Sequence, residues 1–184
     1  MSAFAFVFPG QGSQSVGMLD AWGDHPVVRD TLTEGSAALG EDLAALIQNG
    51  PKEVLDLTAN TQPVMLVASV ACWRAWRAEG GAQPAVVAGH SLGEYSALVA
   101  AGALSLADAV PLVRLRAQAM QQAVPVGAGA MAALLGLDYE AAMAVASEAA
   151  QGQVCQAAND NGGGQVVVEQ KPGRRWLTID LAGL

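Results

Sequence analysis

Ser91 has the surroundings that most favour chemistry in this chain: it lies in Gly89-His90-Ser91-Leu92-Gly93, a G-x-S-x-G arrangement. An apolar, strand-like run (85–88, Ala-Val-Val-Ala) precedes it and a helix-like run (94–100) follows. A serine at a sharp strand-to-helix turn has its hydroxyl lifted out of the sheet into a pocket, the arrangement called a nucleophile elbow. Gly89 and Gly93 suit such a turn, because a close strand–helix approach leaves little room for a Cβ and the turn strains the backbone. The Leu92 N–H, at the start of the helix, then points to where an oxyanion forms when the serine attacks a carbonyl. In a chain with 21 glycines the same letters also arise as an ordinary glycine-rich turn. The strand before and the helix after favour the nucleophile.

Two further groups stand out. Pro9-Gly10-Gln11-Gly12-Ser13-Gln14 breaks off an apolar run at 4–8 that reads as a strand buried on both faces. Gly10 and Gly12 let the backbone turn around Gln11 and expose N–H groups at the C-terminal edge of a strand, where open α/β sheets bind ligands. The spacing does not meet G-x-G-x-x-G, so it is no dinucleotide fingerprint. The other group is Arg114 and Arg116, on a predicted helix at 106–122 whose apolar stripe is Leu106, Ala109, Val110, Val113, Ala117 and Met120. At 100° per residue they flank that stripe on opposite sides, by about 80° each, so the helical wheel does not choose which looks into a pocket. The plainer reading of either is a pair with a nearby acid such as Asp108 or Glu94.

The elements that must position these residues follow from pattern. Helices are expected at 27–39 and 43–47, and a long apolar helix over 64–78, with Thr61 as its N-cap and Pro63 in its first turn. Trp73 and Trp76, three apart, share a face expected in the core. Ser105 reads as the N-cap of the 106–122 helix. Gly127-Ala128-Gly129 is a hinge-like break. Beyond it come a strand at 130–137, a helix at 139–150, a strand at 154–158, a turn at 159–164 and a strand at 165–168, the opening of a ferredoxin-like unit. Two domains are expected, 1–126 and 127–184.

Composition narrows the class. The chain has 184 residues, 52% hydrophobic and 14% charged, which supports a buried core and argues against disorder. The longest apolar run, 63–73, is too short to span a bilayer, and no signal peptide is evident, so a cytoplasmic protein is expected. Cys72 and Cys155 lie in apolar runs and read as buried free thiols; the Cys and His spacings do not match zinc ligands. A net charge of −8 without a basic block disfavours nucleic acid as a partner.

Phe8-Pro9-Gly10-Gln11-Gly12-Ser13-Gln14 and Gly89-His90-Ser91-Leu92-Gly93-Glu94-Tyr95 together resemble the malonyl-CoA:acyl carrier protein transacylases, relatives of the acyltransferase domains of fatty-acid and polyketide synthases. Asn60-Thr61-Gln62-Pro63, Val124-Pro125 with Gly129-Ala130-Met131-Ala132-Ala133, and Asn159-Asp160-Asn161 with Gly164-Gln165-Val166-Val167 add to the resemblance, which runs from Phe4 to about Val168. It implies an α/β fold: an α/β-hydrolase-like parallel-sheet core, here incomplete, with the start of an inserted ferredoxin-like subdomain. It implies transfer of malonyl from malonyl-CoA to the phosphopantetheine thiol of acyl carrier protein, through a malonyl-Ser91 intermediate. By the same resemblance the backbone N–H groups of Gln11 and Leu92 form the oxyanion hole, and Arg116 rather than Arg114 binds the malonyl carboxylate. Gly10, Gly12, Gly89, His90 and Gly93 shape the two loops. The expected partners are malonyl-CoA and acyl carrier protein, with no membrane, no metal and no bound cofactor, in a monomer at full length.

From Glu169 the quoted likeness stops, and 171–176 and 179–183 read as a divergent tail. The family's base is a histidine on a later segment, and the chain is expected to be an N-terminal portion with impaired activity. Of its two histidines, His90 is turned away from Ser91 by the elbow, and His25 lies in an expected surface connection before Pro26. Two alternatives stay open: a non-catalytic remnant that still binds acyl-CoA or the carrier, and a serine esterase or thioesterase. The esterase HGGG motif is absent, which counts against the second.

Overall fold

The structure, a computed structural model, describes residues 3–123 and 129–170. Val124, Pro125, most of the expected break at 127–129, and the tail segments 171–176 and 179–183 lie outside the described residues. The chain divides into two compact units, Met1–Met120 and Gln121–Leu184. Both α and β elements occur in each.

In the first unit, β1 (Ala5–Phe8) pairs in parallel with β2 (Val86–Gly89). Between them run a single 3-10 turn at Asp20–Trp22 and the helices α1 (Pro26–Leu39), α2 (Leu43–Asn49), α3 (Lys52–Leu55) and α4 (Thr58–Ala78). α5 (Leu92–Ala100) follows β2 directly, and α6 (Leu106–Ala123) comes next. α4 is the centre of the core: Val64, Leu66, Val67, Val70, Ala71 and Ala75 are fully shielded from solvent. A helix apolar on nearly every side is stable only inside. Leu43, Leu55, Leu92, Leu106, Val110 and Val113 share one buried cluster with it.

Several expectations need correction. β1 is buried on one face only: Phe8 is covered, whereas Val7 is 67% exposed. Of the two tryptophans, Trp73 is in the core against Phe6 and Phe8, but Trp76 turns outward, where its indole N–H donates to the Ala82 carbonyl at 3.2 Å. The 60° between positions three apart is enough to carry one ring past the edge of the core. Met120 leaves the α6 stripe and is 42% exposed. Its sulfur accepts from the Gln62 amide instead.

The long helix also starts earlier than expected. α4 begins at Thr58, so Pro63 lies inside it and Thr61 is no N-cap: the Thr61 hydroxyl donates to the Leu55 carbonyl at 2.6 Å. An internal proline has no N–H for the carbonyl four residues back, here Ala59. Arg114 of α6 supplies the replacement. One guanidinium nitrogen donates to the Ala59 carbonyl and to Asn60 Oδ1, the second to the Glu41 carboxylate. Arg114 is thus a buried structural residue that restores the hydrogen bond lost at Pro63 and ties α6 to the start of α4. Ser105 behaves as expected of an N-cap, its hydroxyl accepting from the Asp108 N–H at 3.1 Å.

The second unit contains β3 (Ala130–Leu135), α7 (Tyr139–Ala150), β4 (Cys155–Asp160) and β5 (Gln165–Gln170). The strands are antiparallel in the order β3-β5-β4. Asp138 caps α7 by accepting from the Ala141 N–H at 2.8 Å. Ala142 and Ala146 of α7 pack on Leu134, Val166 and Val168. β4 reaches Asn159 and Asp160, expected in a turn, because an irregularity between Ala157 and Asn159 lets the pairing with β5 continue.

The bond between Arg114 and the opened helix gives a stability prediction. Arg114→Met keeps much of the stem but leaves the Ala59 carbonyl and the Glu41 carboxylate without their donor. In the intact protein it is expected to lower the free energy of unfolding by about 2–3 kcal/mol, read by urea titration. A loss below about 0.5 kcal/mol, the size of an ordinary surface substitution, would show that the carbonyl is satisfied some other way.

Candidate active site

The elbow forms where β2 runs into α5. Ser91 has φ 54° and ψ −114°, a strained combination for a residue with a side chain, costing about 1–3 kcal/mol. The surrounding backbone holds it there. A Cβ added to Gly89 would come within 2.1 Å of the Gly93 carbonyl carbon and oxygen, and one on Gly93 within 2.4 Å of the Phe8 carbonyl oxygen. Strand, turn and neighbouring strand thus meet backbone to backbone, and only glycine fits at both points. Ser91 is exposed, and Leu92, buried beneath it, is the first residue of α5. The Leu92 N–H therefore has no carbonyl within the helix to bond.

The Gln11 turn lies against this elbow: a Cβ on Gly10 would be 3.4 Å from the His90 carbonyl oxygen. Side chains pin the turn. The Gly12 N–H donates to Gln14 Oε1 at 2.8 Å, and Gln14 Nε2 donates to Asp56 Oδ1 at 2.9 Å. The Lys52 ammonium, with the Gln14 amide second, holds the Asp56 carboxyl below the usual carboxylate range. Gln11 Nε2 donates to the Thr58 hydroxyl at 3.0 Å.

Arg116 reaches the elbow from α6. Its Nη2 donates to Ser91 Oγ at 2.9 Å and its Nη1 to Gln62 Oε1 at 2.5 Å. The guanidinium carbon lies 5.8 Å from the centre of the Tyr95 ring. Neither Asp108 nor Glu94 pairs with it among the described residues. The wheel's ambiguity is thus resolved by partners: Arg114 faces Ala59, Asn60 and Glu41, and Arg116 faces Gln62 and Ser91.

The structure brings Ser91, Arg116 and Gln11 into one hydrogen-bonded group through Gln62, a residue the sequence reading quoted in a motif but not as part of a site. Gln62 is fully buried. The signal available in sequence was a polar amide at the head of a long apolar run. His25 stays outside the group: it ends the connection before α1 as that helix's N-cap residue, its side chain mostly covered, hydrogen-bonded to Glu79 at 3.0 Å and edge-on to Trp22. His90 is exposed in the elbow. Both cysteines are free thiols, and burial pushes the Cys72 thiol up. Among the described residues no group of three or more His, Cys, Asp or Glu side chains is placed to hold a metal ion, and no helix is long and apolar enough to cross a membrane.

A hydroxyl raised on an elbow, beside a cation that only donates hydrogen bonds, suits attack on a carbonyl compound carrying an anionic group nearby. The acyl transferase domain family matches residues 5–174. The chain belongs to this family. It is 57% identical over 169 residues to the malonyl CoA-acyl carrier protein transacylase of Escherichia coli (strain K12), covering 91% of this chain and 55% of that protein. Among solved structures, the acyl-carrier-protein S-malonyltransferase from Burkholderia pseudomallei 1710b shares 62% identity with a TM-score of 0.85, over 92% of this chain and 55% of that one. A malonyl-transacylase solved in complex with its type II PKS acyl-carrier protein shares 53% identity and a TM-score of 0.85, over 92% and 55%. The chain thus spans about half the length of the acyl transferase relatives it matches.

The backbone contacts at the elbow of this acyl transferase domain can be tested by steric load. Gly93→Ala is expected to cost at least about 3 kcal/mol, because backbone oxygen atoms have nowhere to move. Gly102→Ala, where a Cβ meets no atom within 4 Å, is expected to cost about 1–2 kcal/mol from its left-handed φ of 74°. Equal losses in thermal or urea unfolding would mean that close approach is not what requires glycine at position 93.

Proposed function

We propose that this acyl transferase domain moves a malonyl group from malonyl-CoA to the phosphopantetheine thiol of acyl carrier protein, in the supply of fatty-acid synthesis. The observation that carries the reading is the Arg116–Ser91 hydrogen bond at 2.9 Å, which sets a carboxylate-binding cation beside a serine on an elbow. Ser91 attacks the thioester carbonyl, its proton passes to a base, and the tetrahedral oxyanion is received by the backbone N–H groups of Gln11 and Leu92. Each well-aimed donor of this kind is worth about 3–4 kcal/mol of barrier. The C–S bond then breaks, CoA leaves as the thiol, and malonyl-Ser91 remains. The carrier's thiol attacks the same carbonyl and frees Ser91. The named malonyl transacylase relatives, one of them solved with its acyl carrier protein, support the donor and the acceptor.

Arg116 binds the free malonyl carboxylate, since a planar guanidinium offers two parallel N–H bonds where a lysine offers a point charge. Gly10 and Gly12 shape the Gln11 turn, and Gly89, His90 and Gly93 the elbow. Neither His25 nor His90 is placed as the base, and we assign that role to the part of the family's length these residues do not span. CoA and the phosphopantetheine arm serve as substrate handles, with no metal and no resident cofactor. In this reading, residues 1–126 begin the hydrolase-like core and 127–184 the smaller subdomain, in a cytoplasmic protein that is monomeric at full length. The free cysteines Cys72 and Cys155 agree with a reducing compartment.

One observation favours a second reading, a domain that binds acyl-CoA or the carrier without turnover: no histidine partners Ser91 among the described residues. Mass spectrometry after incubation with malonyl-CoA separates the two. Transfer predicts a malonyl adduct on Ser91 that is discharged by holo acyl carrier protein and absent in Ser91→Ala. Measurable ligand binding with no adduct supports the second reading.

The carboxylate role predicts selectivity. In the intact protein, Arg116→Ala is expected to lower malonyl transfer by about 100-fold more than acetyl transfer, the size of a charged hydrogen-bonded contact at about 1.5–3 kcal/mol. Equal losses for both acyl groups refute it.

A further inference from the structure

We infer that Gln62 is a positioning residue: its buried side-chain amide aims the Arg116 guanidinium at Ser91 and fixes the facing of the Gln11 amide. The inference rests on the reading of Arg116 as the carboxylate ligand and extends it. Arginine can only donate hydrogen bonds, so the Gln62 oxygen must face it, as it does at 2.5 Å. That turns the Gln62 amino group the other way, toward Gln11 Oε1 at 3.4 Å and Met120 Sδ at 3.3 Å. The Gln11 oxygen is then committed to Gln62, and the Gln11 amino group faces the Thr58 hydroxyl at 3.0 Å. One permanent charge thus sets the orientation of two neutral amides in sequence. Neither glutamine could be flipped without leaving two donors face to face.

Burial makes the arrangement firm. Gln62 has no exposure, so water cannot take over a bond it loses. Leucine or methionine would pack in the same helix without needing partners, which makes the polar bonds the distinctive contribution of this residue. The arrangement also leaves room for substrate. A guanidinium has five N–H donors. One goes to Gln62 and one to Ser91, so enough remain for a two-point grip on a carboxylate while Gln62 still holds the other nitrogen. An arginine anchored in this way has less freedom to lose when the acyl group arrives. Gln62 therefore acts through Arg116 on the choice of acyl group.

The test compares acylation of Ser91 by malonyl-CoA and by acetyl-CoA in the intact protein, read as the ratio of the two kcat/KM values. The ratio does not depend on what fraction of a variant folds. Gln62→Met removes the acceptor at similar length, and Gln62→Glu places a fixed carboxylate on Arg116 in competition with the substrate's own. Gln62→Met is expected to lower the malonyl-to-acetyl ratio about tenfold, chiefly through the KM for malonyl-CoA, and Gln62→Glu to lower it further. An unchanged ratio in both variants overturns the inference. Arg116→Ala measured alongside tells which statement has failed. If it lowers the ratio while the Gln62 variants do not, positioning falls and the carboxylate reading stands. If it too leaves the ratio unchanged, the carboxylate reading falls and the inference falls with it.

Discussion

Pro63 opens a gap in α4, and the way it is filled organises the first unit. The proline leaves the Ala59 carbonyl without its helical partner, in a part of the chain where Thr61, Gln62 and Val64 are fully buried. An unmet carbonyl there would be costly. Arg114 meets it from α6 and is itself balanced by Glu41. Two residues further on, about 200° around the same helix, Arg116 reaches Gln62 and Ser91. The two arginines thus both hold the first turns of α4, at Ala59 and Asn60 and at Gln62. Because Arg114 fixes where α6 sits along α4, it also fixes where Arg116 emerges. The structural cation supplies the register, and the other cation uses it.

The elbow depends on a different constraint, the absence of side-chain atoms. Gly89 and Gly93 let β2, the turn and the end of β1 approach to distances that a single methyl group would prevent. That approach over-determines the strained backbone at Ser91, so the strain is carried by packing throughout the neighbourhood. The Gln11 turn is held in the opposite manner, by polar bonds through Gln14, Asp56 and Thr58. Close backbone contact on one side and a polar side-chain tether on the other bring two loops from distant parts of the chain together.

How much of this was legible in the sequence follows from the range of each interaction. The elbow was legible because its cause is local: strand, glycine, serine, glycine and helix are contiguous. So were α1, α5, α6 and the β-α-β-β order of the second unit, which rest on periodicity and caps within a few residues. The start of α4 was not, since reading Pro63 as a first-turn residue assumes that nothing distant will satisfy Ala59. Arg114, 55 residues away, does so. The same distance hid the division of labour between the two arginines, which the helical wheel left even and only their partners decide. Gln62 was missed for a related reason. A polar residue on an apolar helix has meaning only through what it faces, and its three partners come from the Gln11 turn and from α6.

The placement of charge at Ser91 bears on transfer against hydrolysis. Among the described residues Ser91 is exposed. In the malonyl transfer proposed above, the guanidinium that touches the serine oxygen offers a means of keeping water out, because an acyl group with a terminal carboxylate would be held at both ends. One end is the ester bond to Ser91 and the other the fork of Arg116. Holding both ends removes the rotations by which the carbonyl would present itself to water from any direction, and leaves the approach set by the Gln11 turn and the start of α5. An acyl group without the carboxylate is held at one end only. On that proposed reading, the contact that selects the acyl group also governs what is able to attack it, and selection and protection share one physical origin.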